Sequence, residues 1–151
     1  MDRSRAEILL VQPKFPVNLA NVVRGAACFG VGRVIWTGQR LKMDTDRLPR
    51  ELRMRSYATV KVEHGGLRPF DLTTDLTPVC VEFDPSGESL SAFDHPPKAL
   101  YVFGPEDGSV PTVYRRLCHR FVRIPSLHCL NLAAAVNIVL FHRQLQFGDQ
   151  Q

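Results

Sequence analysis

Short, nearly unbroken apolar runs alternate with helix-like stretches along this chain, and that alternation limits the folds open to it. The runs at 8–11, 34–36, 60–63, 79–83, 100–103 and 121–124 are rich in β-branched and aromatic residues. Several lack the apolar–polar alternation of a strand with one wet face, which suits a sheet covered on both sides. Helical patterning falls between them near 18–29, 47–57, 87–94, 110–118 and 130–146. The sequence thus predicts an α/β fold, a mostly parallel sheet flanked by helices. Pro/Gly/Asp-rich pieces at 84–87 and 94–98 read as internal loops, so residues 1–151 are expected to form a single domain. With 44% apolar residues, a chain of 151 can bury one core and is too short for two ordinary domains.

The first helix has a readable face. Asn18 follows Pro16 and is a good N-cap. Leu19, Val22, Val23 and Ala26 follow the i, i+3, i+4, i+7 spacing of a buried stripe, and Gly30 stands where a helix stop belongs. Asn21, Arg24 and Cys28 then share the opposite face, where small neighbours leave Arg24 open to a partner surface or a substrate. The last helix has only Asn131 and Asn137 as polar residues between Leu130 and Leu140. A helix apolar nearly all round is covered by more than its own sheet. A second copy of the chain, giving a homodimer, is the expected cover; complete burial within one chain is the alternative.

Other classes are excluded early. No run approaches 18 apolar residues, so no membrane span is expected. The opening residues run straight into Ile8-Leu-Leu-Val11 without the pattern of a signal peptide, which predicts a cytoplasmic protein. Cys28, Cys80, Cys118 and Cys129 form no Cys-x-x-Cys pair, and reduced, mostly buried thiols are expected. The histidines share no metal-ligand spacing, so no metal site is expected. Charge is concentrated: of eight Lys/Arg between Arg40 and Arg68, only four are offset by acids, and that segment carries the whole net +4. It is either a phosphate-binding face or a solvated helix whose arginines pair with Asp44, Asp46 and Glu51.

Two strand ends carry candidate chemistry. In Phe103-Gly104-Pro105-Glu106-Asp107-Gly108, the glycines permit close backbone approach and unusual φ/ψ, so main-chain groups can read an adenine edge or hold a ribose. Glu106 offers an acceptor for hydrogen bonds or a helix N-terminus. In Ile124-Pro125-Ser-Leu-His-Cys-Leu130-Asn131, Asn131 sits near a helix start, and His128-Cys129 invites a nucleophile reading that no surrounding signature supports. Neither Gly-x-Gly-x-x-Gly nor Gly-Lys-Ser/Thr occurs, so dinucleotide-fold and P-loop readings have no direct support.

Taken together, Pro16-x-Asn18 with Arg24, Ala26 and Phe29-Gly30, then Phe103-Gly104-Pro105-Glu106 with Gly108, then Ile124-Pro125 with Leu130-Asn131, resemble the three motifs of the SpoU (TrmH-type) branch of the SPOUT RNA methyltransferases. The resemblance covers about residues 8–146, and the length resembles the minimal members that methylate ribose at the tRNA wobble nucleotide. It implies a C-terminal deep trefoil knot, a homodimer and bound S-adenosylmethionine. It places Val81, Glu82, Phe103, Gly104, Glu106, Gly108, Ile124 and Leu130 at the cofactor, and Arg24, Asn18, Glu106 and Asn131 at catalytic positions. The implied reaction is methyl transfer to a ribose 2′-hydroxyl of RNA, tRNA before rRNA, without a metal. Arg24 would grip the neighbouring phosphate and stabilise the developing alkoxide. Two positions depart from the family pattern: Cys129 stands where Ser is usual, and Ala20 where Gly is usual. They motivate a competing reading, a knotted RNA-binding protein with weak or lost catalysis. An unrelated α/β nucleotide-binding enzyme is the third.

Overall fold

Strands that are apolar on both faces need cover on both faces, and the chain supplies it. The structure, a computed structural model, describes residues 4–42, 59–65 and 75–148. Among these, the strands are β1 (Arg5–Leu10), β2 (Arg33–Trp36), β3 (Lys61–His64), β4 (Thr77–Val81), β5 (Glu88–Ser89), β6 (Lys98–Phe103) and β7 (Arg120–Arg123). The helices are α1 (Pro16–Cys28), α2 (Thr112–Arg115) and α3 (Leu132–Phe147). One sheet runs in the order β3-β2-β1-β6-β4-β7-β5. Every pairing in it is parallel, with Leu9 opposite Val102 and Cys80 opposite Val102 on the other side.

Alternate residues of the strands feed two cores. Ile8, Leu10, Val34, Val79, Tyr101 and Val122 face α1 and α3, meeting Leu19, Val22, Val23 and Ala26 of the first and Val136 and Val139 of the second. Leu9, Val11, Ile35, Cys80, Leu100 and Val102 face the other way, toward Val110, Tyr114 and Cys118 around α2. The expected α/β architecture, a parallel sheet with helices on its faces, is the one observed. No described helix is long and apolar enough to cross a membrane.

Local readings are corrected at several points. Asn18 is not the cap of α1: the helix begins two residues earlier at Pro16, whose fixed φ suits a first turn, and Phe15 occupies the N-cap position without a side-chain cap. The expected helix at 87–94 is instead β5 followed by a 3-10 turn at Leu90–Ala92. Its helical look came from Leu90 and Phe93, which are buried together three residues apart, the period of a 3-10 turn. The helix at 110–118 shortens to one α-turn that tightens, with Leu117 and Cys118 donating to Tyr114 and Arg115 carbonyls. The last helix is not wholly buried within its own chain, because Ile138, Phe141 and Leu145 are 39%, 52% and 67% exposed. Of the thiols, only Cys80 and Cys118 are buried; Cys28 and Cys129 are exposed. The helical stretch at 47–57 lies outside the described residues.

Candidate functional site

A parallel sheet leaves its loops at the carboxyl ends of its strands, where the order reverses and a crevice opens. Here the ends of β4, β6 and β7 enclose a cavity of about 310 Å³. Val81 and Glu82 line it from β4, Phe103 and Gly104 from β6, and Ile124 from the end of β7. Glu106, Gly108 and Leu130 complete the set named from the sequence, so all eight residues meet around one space. Arg115, Asp84 and Cys129 also line it. Cys129 stands out in the sequence as a departure from the family pattern and as a candidate nucleophile beside His128, while Arg115 and Asp84 carry no local signal.

Gly104 is required by space. A Cβ there would stand 2.7 Å from the Val110 nitrogen and 2.8 Å from the Ser109 carbonyl carbon, because the chain doubles back against itself. Gly108 is different: its nearest neighbour would be 3.5 Å away, an ordinary contact. The expected need for glycine therefore holds at the first position and not at the second. His128 and Cys129 are both exposed, and no hydrogen bond joins them among the described residues.

Beside the cavity, one chain of polar contacts links the three motifs. The Glu106 carboxylate accepts from the backbone N–H groups of Lys14 at 2.9 Å and Phe15 at 3.0 Å, and from Asn18 Nδ2 at 2.9 Å. Asn18, only 8% exposed, in turn accepts through Oδ1 from Asn131 Nδ2 at 3.2 Å. Asn131 Oδ1 caps α3 by accepting from Ala133 and Ala134 at 2.9 and 3.2 Å. Burial alone would raise the Glu106 carboxyl, but the donors from Asn18, Lys14 and Phe15 outweigh it and hold the group below its ordinary range. Glu106, Asn18 and Asn131 are thus brought together and fixed in orientation.

Arg24 is not part of that cluster. It is exposed on α1, outside the cavity, with no bond to another described residue. Next to it, α1 and α3 cross so closely that a Cβ on Gly25 would fall 1.9 Å from Asn137 Oδ1. Phe29 and Phe141 touch edge to face further along, with centroids 6.4 Å apart. Arg24 therefore adjoins, in sequence, the point where α1 crosses α3. Of the basic segment, Arg40 pairs with Asp107 at 2.8 Å and Lys61 with Glu63 at 2.7 Å, while Lys42 is exposed. Arg47, Arg50, Arg53, Arg55 and Arg68, with Asp44, Asp46 and Glu51, lie outside the described residues.

A parallel α/β sheet whose carboxyl ends wall a ligand-sized cavity, beside an Asn–Glu–Asn cluster of which Asn18 is buried, Glu106 half-buried and Asn131 exposed, has the form in which α/β proteins bind small molecules. The profile of the SpoU rRNA Methylase family matches residues 5–141, and the chain belongs to that family. No curated protein matches it by sequence. Among solved structures, the AdoMet-bound rRNA methyltransferase from Sinorhizobium meliloti superposes with a TM-score of 0.82 at 19% identity, over 95% of this chain and 57% of that one. AviRb from Streptomyces viridochromogenes in complex with AdoMet gives 0.79 at 20% identity, over 98% and 60%. This chain thus spans less than two thirds of either. A structure addressing the 2-OH methylation of C/U34 on tRNA matches end to end, with 96% of this chain covering 99% of that one, a TM-score of 0.75 and 25% identity.

Proposed function

We propose that this protein is an S-adenosylmethionine-dependent RNA ribose 2′-O-methyltransferase acting on tRNA, with rRNA as the second candidate substrate. The observation that carries the reading is the meeting of all three motifs: eight residues around one cavity, and Glu106, Asn18 and Asn131 in one hydrogen-bonded chain beside it. tRNA is favoured because one of the structures matched end to end concerns tRNA.

The cavity suits the cofactor chemically. Its volume falls in the range of small-molecule sites, and Val81, Phe103, Ile124 and Leu130 give apolar walls for a purine. Three carboxylates, Glu82, Asp84 and Glu106, face it against the single guanidinium of Arg115, a charge balance that favours a cationic ligand. S-adenosylmethionine supplies a methyl group already activated on a positively charged sulfur. The protein's task is the acceptor. Arg24 grips the phosphate beside the target ribose and stabilises negative charge developing on the 2′-oxygen. Water or phosphate takes the proton, since a guanidinium is a poor general base in proteins. The Asn18–Glu106–Asn131 cluster holds the start of α1 against the cavity rim.

A homodimer completes the site. Covering Ile138, Phe141 and Leu145 with a second copy would also cover the face that carries Arg24, so Arg24 serves its partner's cavity. The fold would be a single domain over residues 1–151, its C-terminal part threaded as a trefoil knot, in the cytoplasm. The test is methyl transfer from labelled S-adenosylmethionine to separated tRNA and rRNA, followed by nucleoside mass spectrometry. A 2′-O-methyl nucleoside is expected in tRNA, with transfer reduced at least about 100-fold in Arg24→Ala, the scale of losing one charge-stabilising donor. RNA binding without transfer to either RNA would instead support the reading in which catalysis has been lost.

A further inference from the structure

Arg115 lines the cavity outside the motifs and ties together parts of its wall. Its guanidinium pairs with Glu82 Oε2 at 2.9 Å and Asp84 Oδ2 at 3.2 Å. Glu82 uses its other oxygen to accept from the Val110 backbone N–H at 2.5 Å, at the crossing where Gly104 leaves no room for a Cβ. Asp84 uses its other oxygen to accept from the Ser86 N–H and hydroxyl, both at 2.9 Å, closing the turn at 84–87. One side chain on α2 thus connects the end of β4, the turn after it and the loop at 104–110.

The chemistry says this connection matters. The Glu82 side chain is only 12% exposed, and a carboxylate that far from water needs a partner. With both oxygens occupied, Glu82 shapes the wall rather than binding the ligand through a free carboxylate. We infer that Arg115 is a positioning residue: by holding Glu82 and Asp84 it sets the spacing between the loop at 104–110 and the turn at 84–87, and so the affinity of the cavity for its cofactor. The inference rests on the proposed S-adenosylmethionine site.

Arg115→Ala and Glu82→Gln test it against Arg120→Ala, which breaks a comparable pair with Glu88 at 2.9 Å on residues that do not line the cavity. Two readouts are taken on the full chain. In amide hydrogen exchange without ligand, the Val110 N–H should exchange at least about tenfold faster in the first two variants and at the wild-type rate in the third. In calorimetric titration, their Kd for S-adenosylmethionine should rise at least about tenfold, while Arg120→Ala stays within about twofold. Unchanged Val110 exchange, or equal loss of affinity in all three variants, would overturn the positioning role. If Arg115→Ala does not fold, Glu82→Gln decides. Wild-type protein that binds no S-adenosylmethionine would count against the proposed function and this inference together; if wild type binds and Arg115→Ala binds equally well, only the inference fails.

Discussion

Glu106 shows how one side chain can serve two levels of structure. Its carboxylate accepts from two backbone N–H groups ahead of α1 and from the Asn18 amide. Removing it leaves three donors without their acceptor, so Glu106→Ala should cost about 1–3 kcal/mol of stability in urea denaturation. The pH dependence has a definite sign. The folded carboxyl titrates below its unfolded value, so its contribution is full above the ordinary Glu range, near about 4.3, and is lost as pH falls through the lower folded value. Wild type should therefore lose stability relative to Glu106→Gln in acid and keep its advantage at neutral pH. Asn18 was legible as a polar residue at a helix start, but its partner lies 88 residues away, and no local pattern separates a cap from a long-range donor.

Elements were legible in proportion to how much of their periodicity they could display. β6 reads as a buried strand because residues Ala99 to Phe103 are all apolar and all buried, and α1 reads as a helix because its stripe spans two turns. β5 has two residues, too few to show a period, and the turn after it imitates a helix. Nor does local pattern show how α3 is fastened at its far end. There Arg143 donates to the Pro96 and Pro97 carbonyls at 2.7 and 2.6 Å and to the Tyr101 hydroxyl at 3.1 Å. His95 bridges Tyr101 at 2.6 Å and His142 at 2.8 Å. Burial, then the neighbouring His142, Arg143 and Arg120, push His95 down to about 3. Below its unfolded pKa near about 6.5 the unfolded chain binds a proton that the folded chain refuses, so stability falls as pH drops from there toward 3. The slope is at most about 1.4 kcal/mol per pH unit, and chemical denaturation between pH 7 and 4 should find it weakened in His95→Gln.

At the scale of the whole molecule, the missing cover on α3 and the position of Arg24 belong to one problem. Ile138, Phe141 and Leu145 are left exposed, and Arg24 has no partner among the described residues; the proposed second copy of the chain would cover both. Phe141→Glu should therefore convert a dimer to a monomer in analytical ultracentrifugation and lower methyl transfer at least about tenfold, although the residue lies outside the cavity. The cofactor-candidate residues follow from the family resemblance, two of whose motifs sit at strand ends where glycine and proline punctuate the sequence. Arg115 was not legible, because its partner Glu82 lies on another element and only the sheet brings them together. The most direct test of the cavity is titration of the wild type and Gly104→Val with S-adenosylmethionine. The account predicts one cofactor per chain in the wild type and none in a folded Gly104→Val, whose side chain would displace the backbone at Val110. A wild type that binds nothing, or a variant that binds equally well, would contradict it.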